Sequence, residues 1–249
     1  MWSDLSTKKL LTQNSELRRV GVWNWTLPAH VVKLSNGERF NTCPNAGACG
    51  RVCYAKMGTY LFGNVRARHI LNLEYVLYGG DDWQEQMAGE IAHKRMRPTG
   101  KAHDLPFDSG DRWLSDWIHS GGKAVRIHDA GDFFSSEYLG RWISLARMFP
   151  DVLFYAYTKE VTMVKGVVLP ANFRVVFSFG GKQDDAIDRS VDRHADVFPS
   201  LAELVGAGYF DQSDNDLLAV VAPLHKIGIV ANNLPVAIRR FDGKKMSEI

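Results

Sequence analysis

The chain has three cysteines, all between positions 43 and 53, with no fourth cysteine and no Cys-x-x-Cys pair. The odd count and tight spacing argue against a disulfide framework. A closed structural zinc site, which commonly draws its four ligands from such pairs, lacks part of its set. Other absences narrow the function. No apolar run approaches bilayer-spanning length, and the start, MWSDLSTKKLLTQ, lacks the basic-then-apolar order of a signal peptide, so a cytoplasmic protein with no membrane partner is expected. There is little surplus of either charge: 30 basic and 28 acidic residues give +2, and the whole-molecule field does not demand a nucleic-acid partner. No P-loop, GxSxG, HExxH or complete Rossmann fingerprint occurs, which turns attention away from phosphoryl transfer, acyl transfer and nicotinamide chemistry. Neither a short-period repeat nor a low-complexity segment is present.

What is there gathers around Cys43-Pro-Asn-Ala-Gly-Ala-Cys49-Gly-Arg-Val-Cys53, a C-x5-C-x3-C spacing. Thiolate is the preferred ligand of iron–sulfur clusters and of zinc. Gly47, Ala48 and Gly50 leave little side-chain bulk, so the loop can wrap a centre with its amides turned inward. A cubane held by three thiolates keeps one iron open (4Fe-4S) or loses it (3Fe-4S). Two alternatives stand beside the cluster: zinc with His30 or His69 as fourth ligand, and buried thiols with no ligand.

At 249 residues with 45% hydrophobic content, the chain can bury a sizeable core. Residues 4–15 have helical spacing, and strands are expected on both sides of the Asn36-Gly37 turn, the second leading into the cysteine loop. Helices follow over 64–78, from Asp81 to Met96 ahead of Pro98, and around Trp113–Ile118; His103 to Gly110 reads as a loop. From Lys123 the pattern alternates: strand 124–127, helix from Ser135 or Ser136 to about Pro150, strand 152–157, helix 160–168, strand 173–178, helix 184–194, then strands 217–222 and 227–230. Such alternation predicts an α/β fold with a parallel sheet, a full or partial TIM-like (βα) barrel with the cysteine loop at the C-terminal mouth of the strands. We read a single domain, 1–249: an N-terminal helix and strands over 1–35, a barrel over 36–235 carrying the cysteine loop 42–55, and a basic tail over 236–249.

In parallel α/β folds the working groups lie beyond the carboxyl ends of strands. There this sequence places His128, Asp129, Gly131 and Asp132, then Thr158-Lys159, then Gly180-Gly181, and Asn232-Asn233 after the last strand. His128, Asp129 and Asp132 suit orienting a small molecule, accepting its ammonium or moving a proton. The competing assignment makes Asp132 a helix cap and His128 a satisfied barrel residue. Lys159 suits a carboxylate or phosphate, or is simply solvated. Gly180-Gly181 suits an anion on free amides, or a plain turn. Trp23, Trp25, Tyr54 and Tyr60 suit base stacking or, with more weight, packing. Basic pairs at Lys8-Lys9, Arg18-Arg19, Arg239-Arg240 and Lys244-Lys245 suit solvated ends or a nucleic-acid contact.

The motifs CPNAGACGRVCYA, RIHDAGDFFSSEYL and FYAYTK resemble a family of actinobacteriophage proteins called gene product eighty-eight, over roughly residues 30–185, a family name that implies bacteriophage origin and a host cytoplasm but no activity. A three-cysteine loop after a first strand, followed by a helix and a second strand ending in a small acidic motif, more distantly resembles the radical S-adenosylmethionine superfamily. That resemblance implies Cys43, Cys49 and Cys53 as ligands of a 4Fe-4S cluster, Gly131 and Asp132 as the pair holding the amino group of S-adenosylmethionine, and His128, Asp129 and Lys159 around the cofactor or substrate. The common superfamily spacing is C-x3-C-x2-C with an aromatic before the last cysteine; here the gaps are five and three, Val52 precedes Cys53 and Tyr54 follows it. Two functions follow: a radical reaction on a small-molecule substrate, or a non-catalytic cluster protein, structural or redox-sensing, that binds nucleic acid through its basic ends or binds a host protein.

Overall fold

The computed structural model of the chain describes residues 9–93, 95–97, 104–231 and 243–249. Its centre is a seven-stranded sheet in the order β1 (Val22–Trp25), β4 (Lys123–Ile127), β5 (Val152–Thr158), β6 (Phe173–Ser178), β7 (His194–Phe198), β9 (Lys226–Val230) and β8 (Phe210–Asp211). Every adjacent pair is parallel. A separate antiparallel hairpin, β2 (Val31–Lys33) with β3 (Arg39–Asn41), flanks the Asn36-Gly37 turn. The expected parallel α/β sheet is present. Closure into a barrel is not, because β1 and β8 are its edges among the described residues.

Strand side chains alternate between faces, and here both faces are apolar, as a parallel sheet covered on both sides requires. Val125, Ile127, Phe154, Ala156 and Phe177 pack under α3 (Gly63–Tyr78), α4 (Gly80–Ala92), α6 (Ser136–Met148) and α7 (Val161–Lys165). The opposite face, through Ala124, Leu153, Tyr155, Val176 and Ala195, meets α1 (Ser15–Val20), α5 (Arg112–His119) and α9 (Leu218–Val221). Local caps set the boundaries. Asn14, Asp111 and Ser135 each accept an amide hydrogen at the start of α1, α5 and α6.

Several expectations are corrected. Residues 9–14 are not helical: Leu10 and Leu11 are buried, Glu90 accepts both of their amides, and Thr12 bridges to Asn24. Tertiary anchoring overrides the helical spacing there; residues 4–8 lie outside the described residues. The helix expected from Asp81 to Met96 is α4, which ends at Ala92. The helix expected over 184–194 is a 3-10 turn at Asp184–Ala186 followed by β7. The strand expected over 217–222 is α9, buried all round, and periodicity alone cannot separate a short buried helix from a buried strand. The two-residue β8 and the helix α8 (Leu201–Gly206) escaped the pattern. Asn232-Asn233, His103, Pro98, Lys8 and Arg239-Arg240 lie outside the described residues.

Asn172 ties the end of α6 to the start of β5. Its Nδ2 donates to the carbonyls of Ala146, Phe149 and Val152, each at 2.9 Å, in a setting 3% exposed. Asn172→Ala removes the donor that these carbonyls share, although the Phe149 carbonyl keeps the Val152 amide (3.1 Å), and should cost about 2 kcal/mol in urea denaturation; an unchanged midpoint would show that the staple carries no stability.

Candidate functional site

The cysteine loop lies across the carboxyl ends of four strands, held by backbone and buried carboxylates. On the β1 side, Thr42 donates its hydroxyl to the carbonyl of Pro28 (2.6 Å) and its amide to that of His30 (3.1 Å). Beyond β4, the amide of Asp132 reaches the carbonyl of Thr42 at 3.0 Å. Beyond β5, Glu160 accepts both the amide of Asn45 (3.1 Å) and its Nδ2 (2.6 Å). Beyond β6, Cys49 donates its amide to the carbonyl of Gly180 (2.9 Å), Lys182 donates to that of Asn45 (2.8 Å), and Ala46 pairs with Gly181. The fit is close enough that a Cβ on Gly47 would stand 3.0 Å from the carbonyl carbon of Gly181. After the loop, α2 (Cys49–Val52) and two 3-10 turns, Tyr54–Lys56 and Gly58–Leu61, lead into α3.

All three cysteines are free and partly buried. Burial, with Asp132 adding to it, pushes the Cys43 thiol up to about 12, while the amide of His30 at 3.4 Å and the Thr42 hydroxyl oppose the shift. The Cys53 thiol is raised as well, first by burial and then by Cys49, with the Ala55 amide and the cations of Lys56 and Lys159 opposing. The Cys49 sulfur is thus within electrostatic reach of both others. The amides at two of the sulfurs favour thiolate, while burial and the Asp132 carboxylate favour the protonated thiol. Among the described residues no group of three or more His, Cys, Asp or Glu side chains is arranged to hold a metal ion. The zinc alternative therefore has no ligand shell there: His30 turns its Nδ1 to Lys56 Nζ (3.3 Å), and His69 packs on Tyr60. The same holds for a cluster: among the described residues the three cysteine sulfurs are not gathered into a ligand group either.

The strand-end residues predicted from sequence come together at this mouth, mostly spent on the protein itself. Asp132 is buried and accepts from Thr158 Oγ1 (2.5 Å), the Lys159 amide (2.9 Å) and the Phe133 amide (2.8 Å); burial raises its pKa against these bonds. Gly131 has φ 88°, and a Cβ on it would meet the Leu27 Cβ at 2.6 Å, so its lack of a side chain serves packing. His128 also lies in the left-handed region, at φ 68°. Trp25 Nε1 donates to the Tyr138 hydroxyl (2.8 Å), which leaves the phenolic proton for His128 Nε2 at 2.9 Å. Burial lowers the His128 pKa to about 3, so the imidazole is neutral, with its buried Nδ1 unpartnered.

Asp129 faces the other way. Its carboxylate accepts from the Tyr60 hydroxyl at 2.5 Å and lies 3.7 Å from Arg126 Nη1, while its carbonyl accepts from the Tyr54 hydroxyl. Arg126 bridges onward to Asp216 at 3.1 Å, which also accepts from the Tyr155 hydroxyl. Lys159 is 8% exposed and donates to the carbonyl (3.2 Å) and hydroxyl (2.8 Å) of Ser178, with no carboxylate in ion-pair reach among the described residues. The amides of Gly180 and Gly181, expected for an anion, are filled by the Asp184 carboxylate at 2.8 and 2.9 Å. Trp25 is core, whereas Tyr54 is 48% exposed.

Sequence reasoning missed Glu160, Asp216 and Tyr138. Glu160 follows Lys159 at the same strand end, so the rule that flagged the lysine would have found it. Asp216 sits among residues with no periodic signal. Two surface grooves of about 540 and 500 Å³, one lined by Ile143, Arg147 and Val168 and the other by Leu34, Phe40 and Leu77, do not touch the cysteines.

Two outcomes follow from this geometry. Glu160→Ala should loosen the loop: amide exchange at Asn45 and Cys49 rises, stability falls by about 1–3 kcal/mol, and unchanged exchange would remove Glu160 from the account. In the metal-free protein, Cys43 should alkylate at pH 8 roughly a hundred-fold more slowly than a solvent-exposed thiol, because a raised pKa leaves little thiolate. Its rate should climb from pH 7 to 10 without levelling; a plateau near pH 8.5 would contradict the burial argument.

Comparison with known proteins agrees with the motif resemblance at family level. A family model described as "Gene product 88" matches residues 3–245. The chain is 28% identical over 135 residues to the Gene 88 protein of Mycobacterium phage D29 and, equally, to that of Mycobacterium phage L5, matches that cover 54% of this chain and 49% of each relative. It thus spans about half the length of the curated relatives it matches. No solved structure matches, and the likeness to the radical S-adenosylmethionine superfamily rests on the motif alone. No helix of the described residues is long and apolar enough to cross a membrane. With nearly its whole length under the family model, the chain belongs to the gene product 88 family of mycobacteriophage proteins.

Proposed function

We propose that the chain is an iron–sulfur protein whose cluster is held by Cys43, Cys49 and Cys53 at the carboxyl mouth of the parallel sheet. The observation that carries this reading is the pinning of a three-cysteine loop across the ends of β1, β4, β5 and β6, with amides turned toward two of its sulfurs. Such a cluster, when bound, supplies one-electron chemistry and, if its fourth iron lacks a thiolate, a place for a small ligand such as the amino-acid end of S-adenosylmethionine. The chain's own residues do the rest. The His30 and Ala55 amides stabilise thiolate at Cys43 and Cys53, and the buried Lys159 ammonium offsets negative charge beside Cys53. Glu160, Thr42 and Asp132 hold the loop and strand ends in register.

A second reading, a non-catalytic structural or sensing cluster, is favoured by one observation. The Gly131-Asp132 pair that the superfamily resemblance assigns to the cofactor is occupied by Leu27, Thr158 and the amides of Phe133 and Lys159. Asp132→Asn separates the two by equilibrium binding of S-adenosylmethionine to the cluster-loaded protein. Lost affinity with retained iron supports the cofactor role, and unchanged affinity assigns Asp132 to the frame.

For the cluster itself, each of Cys43→Ser, Cys49→Ser and Cys53→Ser should remove at least half of the iron and acid-labile sulfide of anaerobically purified protein. Wild-type protein without iron, or iron content indifferent to all three substitutions, would contradict the proposal.

A further inference from the structure

From Arg39 to Leu73 the sequence contains no Asp or Glu but five basic residues, in a chain whose total charge is only +2. The segment following the cysteines presents this charge at the surface together with unburied rings. Tyr54 is 48% exposed, Leu61 62% and Phe62 59%, while Arg51, Lys56 and Arg66 are exposed beside them. The carbonyl of Phe62, the residue that precedes α3, accepts the amide of Arg66 at 2.9 Å, which sets the two one turn apart at the start of the helix. The Tyr54 hydroxyl is anchored on the Asp129 carbonyl and its ring meets Tyr60 edge-on, 5.7 Å between centroids, so the exposed ring is held in place rather than free to fold back. Lys56 and Lys182 extend the positive charge over the cysteine loop, donating to the carbonyls of Gly50 (2.6 Å) and Pro44 (2.8 Å). Arg51 also donates to the oxygen of the C-terminal Ile249 (3.2 Å), and of the acids around the patch Asp129 is engaged by Tyr60 and Arg126 and Glu160 by Asn45.

We infer that this surface binds single-stranded nucleic acid, with Tyr54 and Phe62 stacking bases and Arg51, Lys56, Arg66 and Lys182 facing phosphates. Rings with an open face, interleaved with cations on an irregular loop, match the way single strands are held without sequence preference. An acidic protein partner would use the charge but leaves the rigidly presented Tyr54 face without a purpose. The inference does not depend on the cluster, and its site differs from the basic chain ends.

The test is fluorescence anisotropy of labelled 12-nucleotide single-stranded DNA and RNA with the full chain, between 50 and 200 mM salt, with and without the metal centre. Binding should weaken with salt at a log–log slope of about −2 to −3, as expected for three or four phosphate contacts. Arg66→Ala should flatten the slope by about 0.7. Tyr54→Ala and Phe62→Ser should each weaken binding about tenfold, with thermal denaturation confirming that the variants fold, while Arg112→Glu on α5, across the sheet from α3, leaves it unchanged. No binding at 50 mM salt overturns the inference. So does binding that ignores Arg66, Tyr54 and Phe62 but falls with Lys244→Ala and Lys245→Ala, or a preference for an acidic polypeptide over both oligonucleotides.

Discussion

Everything at the mouth of the sheet depends on how a short glycine-containing loop is clamped by groups at the ends of strands. Asn45 is the centre of that clamp. Its amide and side chain are taken by the Glu160 carboxylate, and its carbonyl receives the Lys182 amide. Gly180 and Gly181, whose own amides are held by Asp184, then offer a flat edge against which Ala46, Gly47 and Cys49 can lie. Glu160 and Asp132 are buried, and burial raises the pKa of both, so the protein bears a desolvation cost to hold two carboxylates beside a thiol-bearing loop. Hydrogen bonds from Asn45, Thr158 and two amides offset part of it.

The parallel sheet was legible because strand and helix alternate plainly from Lys123 to Ser178, where apolar runs are short, regularly spaced and bounded by caps such as Ser135. Beyond that point local signals mislead. Leu217 to Ala222 is apolar throughout, so neither a two-residue nor a 3.6-residue period can be seen in it, and its helical state follows from a place against the sheet face that only the fold supplies. The same holds for Leu10 and Leu11, extended because Glu90, some eighty residues away, accepts their amides.

The site was readable in part for the same reason. The rule that chemistry gathers beyond strand ends found His128, Asp129, Asp132 and Lys159, and the structure does bring them to the cysteine loop. It could not say how each side chain is spent. His128 turns inward to Tyr138, Asp132 staples β4 to β5, and Asp129 faces Tyr60 and Arg126, choices made by partners up to 69 residues distant in sequence. Among the described residues, the two non-glycine residues with left-handed backbone, His30 and His128, stand in this region, and the His30 amide points at the Cys43 sulfur. Backbone strain therefore coincides with the thiol loop, as it does where geometry is held for function.

The most direct test of the account is X-ray absorption at the iron and zinc edges on protein purified anaerobically. Iron with sulfur neighbours and a short iron–iron distance is the predicted result, and it would place a polynuclear cluster on the three-cysteine loop. Zinc in a single-ion shell, or no metal at either edge, would contradict it and leave the loop as a clamped structural element.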